Sequence, residues 1–147
     1  MVKIDIDTIF LKAIEKEEKS SKFYSDLSEK SKDESLKIFF KELSQDELSH
    51  KNYLENLRKN PRLITRINEN YDDIISIIDS SPPEFNPNMN IMDAFKLAIN
   101  KEEEAALLYN SLVSRVDDPE AVKIIKYLAN MEMGHRSKLE GILLTFK

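Results

Sequence analysis

The chain contains two histidines, and each lies three residues after a glutamate. The two motifs are Glu47-Leu-Ser-His50 and Glu132-Met-Gly-His135. Side chains three residues apart share one face of a helix, so each motif can present a carboxylate and an imidazole together. Because both groups are good ligands for transition metals, the spacing predicts a metal-binding pair on each of two helices.

Two further glutamates are selected by the apolar periodicity of their segments. Glu17 lies seven residues after Phe10 and seven before Tyr24, and therefore falls on the apolar stripe of a helix. Its neighbour Glu18 falls on the face that carries lysines and is predicted to be exposed. Glu102 holds the corresponding place in a later segment. We therefore expect Glu17 and Glu102 to point into the core.

The positions of these glutamates along the helices give an independent argument. A first predicted hairpin turns near residue 32, and Glu17 and Glu47 each lie 15 residues from that turn. A second turns near residue 117, and Glu102 and Glu132 each lie 15 residues from it. Residues equally far from the turn of an antiparallel hairpin lie at one level. We therefore expect four glutamates and two histidines in one layer of the core.

Four carboxylates in an apolar layer need compensating charge, because each is costly to desolvate and each repels the others. Two divalent cations supply that charge. Carboxylate-rich ligation with one imidazole per metal suits iron, with manganese as the alternative, and bundles with this ligand pattern hold such metal pairs. The alternative is a plain bundle with buried ion pairs. The predicted ligands are Glu17, Glu47, His50, Glu102, Glu132 and His135.

Two tyrosines, Tyr24 and Tyr109, each follow a predicted ligand glutamate by seven residues. Each hydroxyl could be bonded within the core as in any buried tyrosine. Alternatively, it could donate a hydrogen bond to a ligating carboxylate of the other hairpin. The sequence leaves both interpretations open.

The elements that must carry these residues are four long amphipathic helices. Their predicted bounds are about 7–31, 33–59, 90–116 and 118 to nearly 147. Asp33, Asn90 and Asp118 are the predicted N-caps, and Pro119 suits a first helical position. A crossover over about 61–89 is predicted to hold a short helix or two within 63–78. Serine and proline at 80–83, with Asn86-Pro87, predict a break there.

The second half of the chain repeats the first at a constant offset of 85 residues. The offset relates the two Glu-x-x-His motifs, the two selected glutamates and the two tyrosines. A repeat of this kind indicates a duplicated helical hairpin. We therefore predict an all-α fold with one domain over 1–147. Two pseudo-symmetric antiparallel hairpins, about 5–60 and about 90–146, are joined by the long crossover.

The composition excludes several other classes of site and protein. The chain has no cysteine, which rules out thiolate-bound zinc, iron–sulfur clusters and a thiol nucleophile within it. Its net charge of −5 shows no nucleic-acid footprint, and no apolar stretch approaches the ~18 residues of a membrane span. We expect a cytoplasmic protein that binds neither nucleic acid nor membrane.

At the residues described above, the sequence resembles the ferritin-like superfamily, and within it the rubrerythrin-like di-iron proteins. The resemblance covers both hairpins, about 10–60 and about 91–143. It implies that Glu47 and Glu132 bridge two irons and that Glu17 and Glu102 are terminal ligands of one iron each. His50 and His135 would complete the two coordination spheres.

Two departures from rubrerythrins matter for function. Rubrerythrins usually carry a cysteine-rich rubredoxin domain that supplies electrons, and this chain has no cysteine. Its electron donor is therefore expected to be a separate protein. Rubrerythrins also carry a further glutamate one turn after the third-helix ligand, where this chain has Ala105. Without it, the ligand set equally resembles that of bacterioferritin or of di-iron hydroxylases.

The resemblance implies an oxidoreductase that reduces hydrogen peroxide, or oxygen, at the di-iron site. One alternative is a ferroxidase or iron-binding protein of the ferritin type, although no room remains for the fifth helix of cage-forming ferritins. Others are a dimanganese catalase-like enzyme and a di-iron hydroxylase whose organic substrate would lie beside the crossover. A homodimer is expected only because it is the commonest soluble assembly.

Overall fold

A computed structural model describes residues 6–60, 72–79, 86 and 88–146. Within these residues the elements are five helices, so the predicted all-α fold class is confirmed. They are α1 (Ile6–Lys30), α2 (Glu34–Arg58), α3 (Asp72–Asp79), α4 (Ile91–Val113) and α5 (Pro119–Leu143). None of the helices in the described ranges has the length and apolar character needed to cross a bilayer.

The three predicted N-caps are confirmed by their hydrogen bonds. The Asp33 side chain accepts from the backbone N–H of Leu36 at 3.1 Å, and Asn90 accepts from that of Asp93 at 2.8 Å. Asp118 likewise accepts from a backbone N–H of the first turn of α5, where a proline occupies the first helical position. Each cap satisfies a donor that the helix cannot pair internally.

The helix ends differ from the sequence-based bounds in two places. The prediction continued α4 to about residue 116, but α4 ends at Val113. Val116 continues the apolar spacing and is buried, although it lies beyond the helix. The prediction also carried α5 almost to residue 147, but α5 ends at Leu143. The chain then turns, and the ring of Phe146 packs against Phe95 at a centroid distance of 5.2 Å.

Part of the predicted crossover lies outside the described residues. The predicted window of 63–78 contains the start of α3, while 63–71 lie outside the described part. The predicted break at 80–83 and Pro87 also lies outside it. The single-domain assignment over the whole chain stays a prediction.

The duplication predicted from the sequence is visible in the helix bounds. The first helices of the two hairpins, α1 and α4, begin at residues 6 and 91, and α2 and α5 begin at 34 and 119. Both pairs differ by 85. Helix α1 packs against α2, α4 packs against α5, and α3 contacts both α4 and α1. The long helices are therefore arranged as two paired hairpins.

The core of the bundle is divided into two apolar clusters. One joins the first halves of α1 and α5 with the second halves of α2 and α4, and the buried Ile74 and Ile78 of α3 belong to it. The other joins the opposite halves of the same four helices. On every long helix, the predicted ligand glutamate falls between the residues of the two clusters. A polar layer therefore separates two apolar layers.

Candidate metal centre

The polar layer brings together all six residues that the sequence singled out as ligands. Their exposed fractions are only 1–2%. They form two overlapping groups in which the potential ligand atoms lie within 4.8 Å of one another. The first group, here called the His50 site, consists of Glu17, Glu47, His50 and Glu132. The second, the His135 site, consists of Glu47, Glu102, Glu132 and His135.

Helical geometry explains why Glu17 joins this cluster and its neighbours do not. Glu17 lies one turn after the buried Ala13 and one turn before the buried Ser21. Glu15 and Glu18 are exposed, and Glu18 forms a surface ion pair with Lys51 instead. A single position along a helix rotates a side chain by about 100°, which is enough to exchange the core for solvent.

Both histidines aim the same ring nitrogen at the cluster. Nδ1 of His50 lies 3.0 Å from Oε1 of Glu132 and 3.4 Å from Oε2 of Glu17. Nδ1 of His135 lies 3.2 Å from Oε1 of Glu47 and 3.6 Å from Oε2 of Glu102. Each imidazole therefore faces one glutamate that belongs only to its own site and one glutamate that both sites share.

The histidine rings also lie parallel to one another across the middle of the cluster. The ring centroids of His50 and His135 are 5.8 Å apart and their planes differ by 13°. Because residue 50 plus the offset of 85 is residue 135, this pair relates the two halves of the repeat. The centre therefore has nearly two-fold symmetry.

The two tyrosines make reciprocal hydrogen bonds between the hairpins. The hydroxyl of Tyr24 donates to Oε1 of Glu102 at 2.5 Å, and the hydroxyl of Tyr109 donates to Oε1 of Glu17 at 2.6 Å. Burial, followed by the charges of nearby carboxylates, raises the pKa of both tyrosines above the usual value. Both phenols therefore keep the proton that they donate. The structure thus favours the interpretation in which each tyrosine orients a carboxylate of the other hairpin.

Six atoms that face the centre have no hydrogen-bond partner among the described residues. A buried polar atom without a partner costs about 1–3 kcal/mol. The six atoms comprise one from each predicted ligand, and cations at the centre would contact them. They are Oε2 of Glu17, Oε1 of Glu47, Nδ1 of His50, Oε2 of Glu102, Oε1 of Glu132 and Nδ1 of His135.

The close approach of these buried groups to one another also shifts the pKa values of four of the predicted ligands. Burial, followed by repulsion from the other carboxylates, raises the pKa of Glu47 and of Glu132 well above the usual value. Burial alone would lower the pKa of the histidines, but the adjacent carboxylates outweigh it and raise the pKa of His50 and His135. Without metal, protons therefore supply part of the positive charge that cations would bring.

The donor set fits two divalent cations. Each site offers three carboxylates and one imidazole, and two of the carboxylates belong to both sites. Oxygen-rich ligation with a single imidazole nitrogen is typical of iron or manganese. A site with four carboxylates and two imidazoles gives two cations four compensating negative charges.

One residue that contacts the centre was missed by the sequence argument. Oδ2 of Asp46 lies 3.0 Å from Nε2 of His135, on the side of the ring that faces away from the cluster. The two residues are 89 positions apart, so no periodicity within one helix connects them. The sequence feature that could have identified Asp46 is its position directly before the predicted ligand Glu47.

Comparisons with known proteins support the fold and the family. The family model described as rubrerythrin matches residues 8–143. A solved structure of a hypothetical protein from Pyrococcus furiosus is 28% identical, with a TM-score of 0.73 and coverage of 95% of this chain and 90% of that one. No curated protein matches the chain.

A second solved structure, from Thermotoga maritima, is described as a candidate ferritin-like diiron-carboxylate protein. It is 20% identical to this chain, with a TM-score of 0.75 and coverage of 97% of this chain and 96% of that one. At this identity, the likeness concerns the fold alone. The predicted ferritin-like four-helix bundle is thereby confirmed.

Proposed function

This chain belongs to the rubrerythrin family, as its sequence predicted, and from that premise we propose that it is a non-haem di-iron oxidoreductase. It reduces hydrogen peroxide, with oxygen as the other candidate oxidant. Two ferrous ions supply two electrons, which with two protons convert hydrogen peroxide to two molecules of water. The proposed iron ligands are Glu17, Glu47, His50, Glu102, Glu132 and His135.

The observation that carries this proposal is the set of six buried ligand atoms without hydrogen-bond partners in the described ranges. In a bundle that used its glutamates and histidines only for packing, we would expect these atoms to make directed hydrogen bonds with one another. Here they lie close together, as Nδ1 of His50 does to Oε1 of Glu132 at 3.0 Å, but none makes a hydrogen bond within the described residues. Here the atoms face a common centre in two overlapping groups. Two cations would satisfy all six atoms at once.

The ligands have different roles in holding the proposed metal pair. Glu47 and Glu132 belong to both sites, and we propose that they bridge the irons. Glu17 and Glu102 belong to one site each, so we propose them as terminal ligands. One oxygen of each of these carboxylates accepts a hydrogen bond from a tyrosine hydroxyl, and the other, which has no hydrogen-bond partner among the described residues, would hold the cation.

The surrounding residues prepare the site for redox chemistry. The tyrosines keep their phenolic protons, because burial and neighbouring charge raise the pKa of both. Apolar clusters lie on both sides of the polar layer and limit the access of water. The protein therefore supplies fixed geometry and a dry environment, and the metals supply the electrons.

The electrons that restore the ferrous state are proposed to come from a separate protein. The 147 residues contain no cysteine, so they cannot hold a thiolate-bound iron centre of the rubredoxin type. The proposed reaction needs two electrons per peroxide, and the two ferrous ions provide them only once. We therefore propose a small redox protein as the donor.

One observation favours a second candidate, a ferroxidase that oxidises and handles iron. Residue 105 is an alanine, partly buried against one apolar cluster, where rubrerythrins carry a further glutamate. Among the described residues, the two groups that could hold metal comprise six residues, which resembles the ligand set of ferritin-type centres. In a ferroxidase, oxygen would be the oxidant and Fe(II) the substrate.

A stopped-flow experiment separates the two functions. Protein loaded anaerobically with two Fe(II) per chain is mixed with hydrogen peroxide or with oxygen, and the ferric absorption is followed. Much faster oxidation by peroxide supports the peroxidase, and faster oxidation by oxygen supports the ferroxidase. Glu132→Ala serves as the site-deficient control and Glu15→Ala as the matched surface control. Failure of the wild type to bind paired iron would contradict both functions.

A further inference from the structure

The two halves of the metal centre differ at the outer edge of their histidines. Nε2 of His135 lies 3.0 Å from Oδ2 of Asp46. Nε2 of His50 is buried, and within the part of the chain that the structure describes it has no hydrogen-bond partner. The six predicted ligands are therefore related by a near two-fold symmetry, but the contacts at Nε2 of the two histidines are not.

The sequence repeat explains this difference. Asp46 precedes the ligand Glu47, and the offset of 85 relates residue 46 to residue 131. Residue 131 is a methionine. A thioether sulfur is only a weak hydrogen-bond acceptor and carries no charge. The residue that corresponds to Asp46 in the second half of the repeat, Met131, therefore cannot offer His50 the carboxylate that Asp46 offers His135.

A carboxylate at this position changes how a histidine binds a metal. Both rings turn Nδ1 towards the cluster, so Nε2 carries the proton when Nδ1 binds a cation. An acceptor at Nε2 fixes that tautomer and the orientation of the ring, and it makes Nδ1 a better donor. Asp46 can act in this way on His135.

The environment of Asp46 suits this role. Its side chain is 42% exposed, so it can contact water and Nε2 of His135 at the same time. It lies outside the two groups of potential ligand atoms, so it contributes no atom to the metal. Its contact with the centre is the one to Nε2 of His135.

We propose that the two metal sites are unequal, and that the His135 site binds its cation first and more tightly. Asp46 is the positioning residue that creates the difference, and Met131 is the reason that the His50 site lacks it. This inference rests on the proposed di-iron function. It predicts that the two sites are filled in a fixed order, although their predicted ligands correspond to one another in the repeat.

Anaerobic calorimetric titration of the metal-free protein with Fe(II) tests the order. We expect two separate binding steps in the wild type. Asp46→Asn keeps the size of the side chain but removes its charge, and should weaken the tighter step by about 10–100-fold while the weaker step stays unchanged. Met131→Asp should strengthen the weaker step. Glu42→Gln, an exposed acid on the same helix as Asp46, should change neither step.

Site variants assign each step to a histidine. Glu102 belongs only to the His135 site and Glu17 only to the His50 site. Glu102→Ala should therefore remove the tighter step, and Glu17→Ala should remove the weaker one. The reverse assignment would overturn the proposal.

Proton NMR of the Co(II)-loaded protein provides a readout that general loss of stability would not mimic. The Nε2 proton of each metal-bound histidine gives a strongly shifted signal. Asp46→Asn should move the signal that appears at the first equivalent of Co(II) and leave the other in place. Movement of both signals, or of neither, would contradict a role confined to His135.

The outcomes separate this inference from the proposed function. Two equal binding steps in the wild type, or two steps that Asp46→Asn leaves unchanged, would overturn the inference and leave the metal pair intact. Binding of fewer than two metals by the wild type would overturn the function itself. Should Asp46→Asn not fold, Met131→Asp still decides the matter by its effect on the weaker step.

Discussion

At the scale of single residues, two neighbouring glutamates differ in burial. Glu17 is almost fully buried and its Oε2 lies 3.4 Å from Nδ1 of His50, while the side chain of Glu18 is 50% exposed and pairs with Lys51. The difference is one position on α1. The chemistry of the centre therefore depends on which carboxylates the helix turns inward, since the chain has acids at 15, 17 and 18 alike.

The first prediction concerns the glutamates shared by both sites. Glu47→Ala or Glu132→Ala should abolish binding of the metal pair, because each removes a carboxylate from both groups at once. Glu18→Ala should retain two metals. Iron content per chain, measured after anaerobic desalting, checks this. Loss of metal in Glu18→Ala with retention of both metals in Glu17→Ala would show that the assignment of helix faces is wrong.

The second prediction concerns the tyrosine hydroxyls. Tyr109→Phe removes the donor to Oε1 of Glu17 and leaves a buried carboxylate oxygen without that bond. The free energy of unfolding of the metal-free protein should fall by about 1–3 kcal/mol, seen as a lower urea midpoint with an unchanged slope. Tyr53→Phe, at a tyrosine that is 40% exposed, is the control. Equal midpoints for the two variants would mean that the buried hydrogen bond contributes nothing.

At the scale of the elements, the paired helices hold the ligands at fixed depth. In the first hairpin, buried Ser21 and Ser44 link α1 to α2: each hydroxyl donates to the backbone carbonyl of the other residue, at 3.0 and 2.8 Å. Ser21 lies one turn after Glu17, and Ser44 lies three residues before Glu47. The second hairpin has buried Ala106 and Ala129 at the corresponding places. Small side chains in both hairpins suit close packing of helices beside the ligand layer.

The third prediction concerns Gly134, which lies inside α5 directly before His135. A Cβ added there would meet no atom within 4 Å, and glycine within a helix is less favourable than alanine by about 0.5–1 kcal/mol. Gly134→Ala should therefore raise the free energy of unfolding by about that amount. Chemical denaturation checks it, with the exposed repeat mate Ser49→Ala as the comparison. Destabilisation by Gly134→Ala would contradict this prediction. It would indicate that another molecule packs closely against Gly134.

At the scale of the whole molecule, a charged layer lies between two apolar clusters. The clusters supply most of the burial that stabilises the bundle, and the layer between them opposes that stability when no metal is present. Ligands with a raised pKa bind protons in the folded chain that they would release in the unfolded chain. The stability of the metal-free protein is therefore tied to pH.

The fourth prediction gives the sign of that pH dependence. Burial and mutual repulsion raise the pKa of Glu47 and Glu132 in the folded state, so their contribution is full below the unfolded value of about 4.3 and is lost as pH rises. The same direction holds for His50 and His135, whose pKa values are also raised. These four groups should therefore lower the melting temperature of the metal-free protein as pH rises from about 5 to 8.

Variants separate this effect from the titration of the surface. The double variant Glu47→Gln/Glu132→Gln should show a flatter dependence of melting temperature on pH than the wild type. Glu15→Gln, at an exposed position of α1, should follow the wild type. Metal affinity should change in the opposite sense and rise with pH, because bound protons must leave before cations bind. Parallel curves for the wild type and the double variant would refute the argument.

Much of the architecture could be predicted from the order of the residues, because the signals involved are local or repeated. Capping residues such as Asp33 and Asp118 act within one turn, and the 3.6-residue period decides that Glu17 and not Glu18 faces inward. The constant offset of 85 made the second hairpin a check on the first. These features depend only on the geometry of one helix and on the distance of a residue from the turn of its hairpin.

Contacts between distant segments could not be predicted in this way and are known from the folded structure. The bond of Tyr24 to Glu102 spans 78 positions, and that of Asp46 to His135 spans 89. Both depend on how two helices are rotated and shifted against each other, which no period within a helix encodes. Val116 shows the same limit: the sequence predicted that α4 reaches about residue 116, but the helix ends at Val113 and Val116 is buried beyond that end. Packing selects one arrangement from many that the local pattern allows.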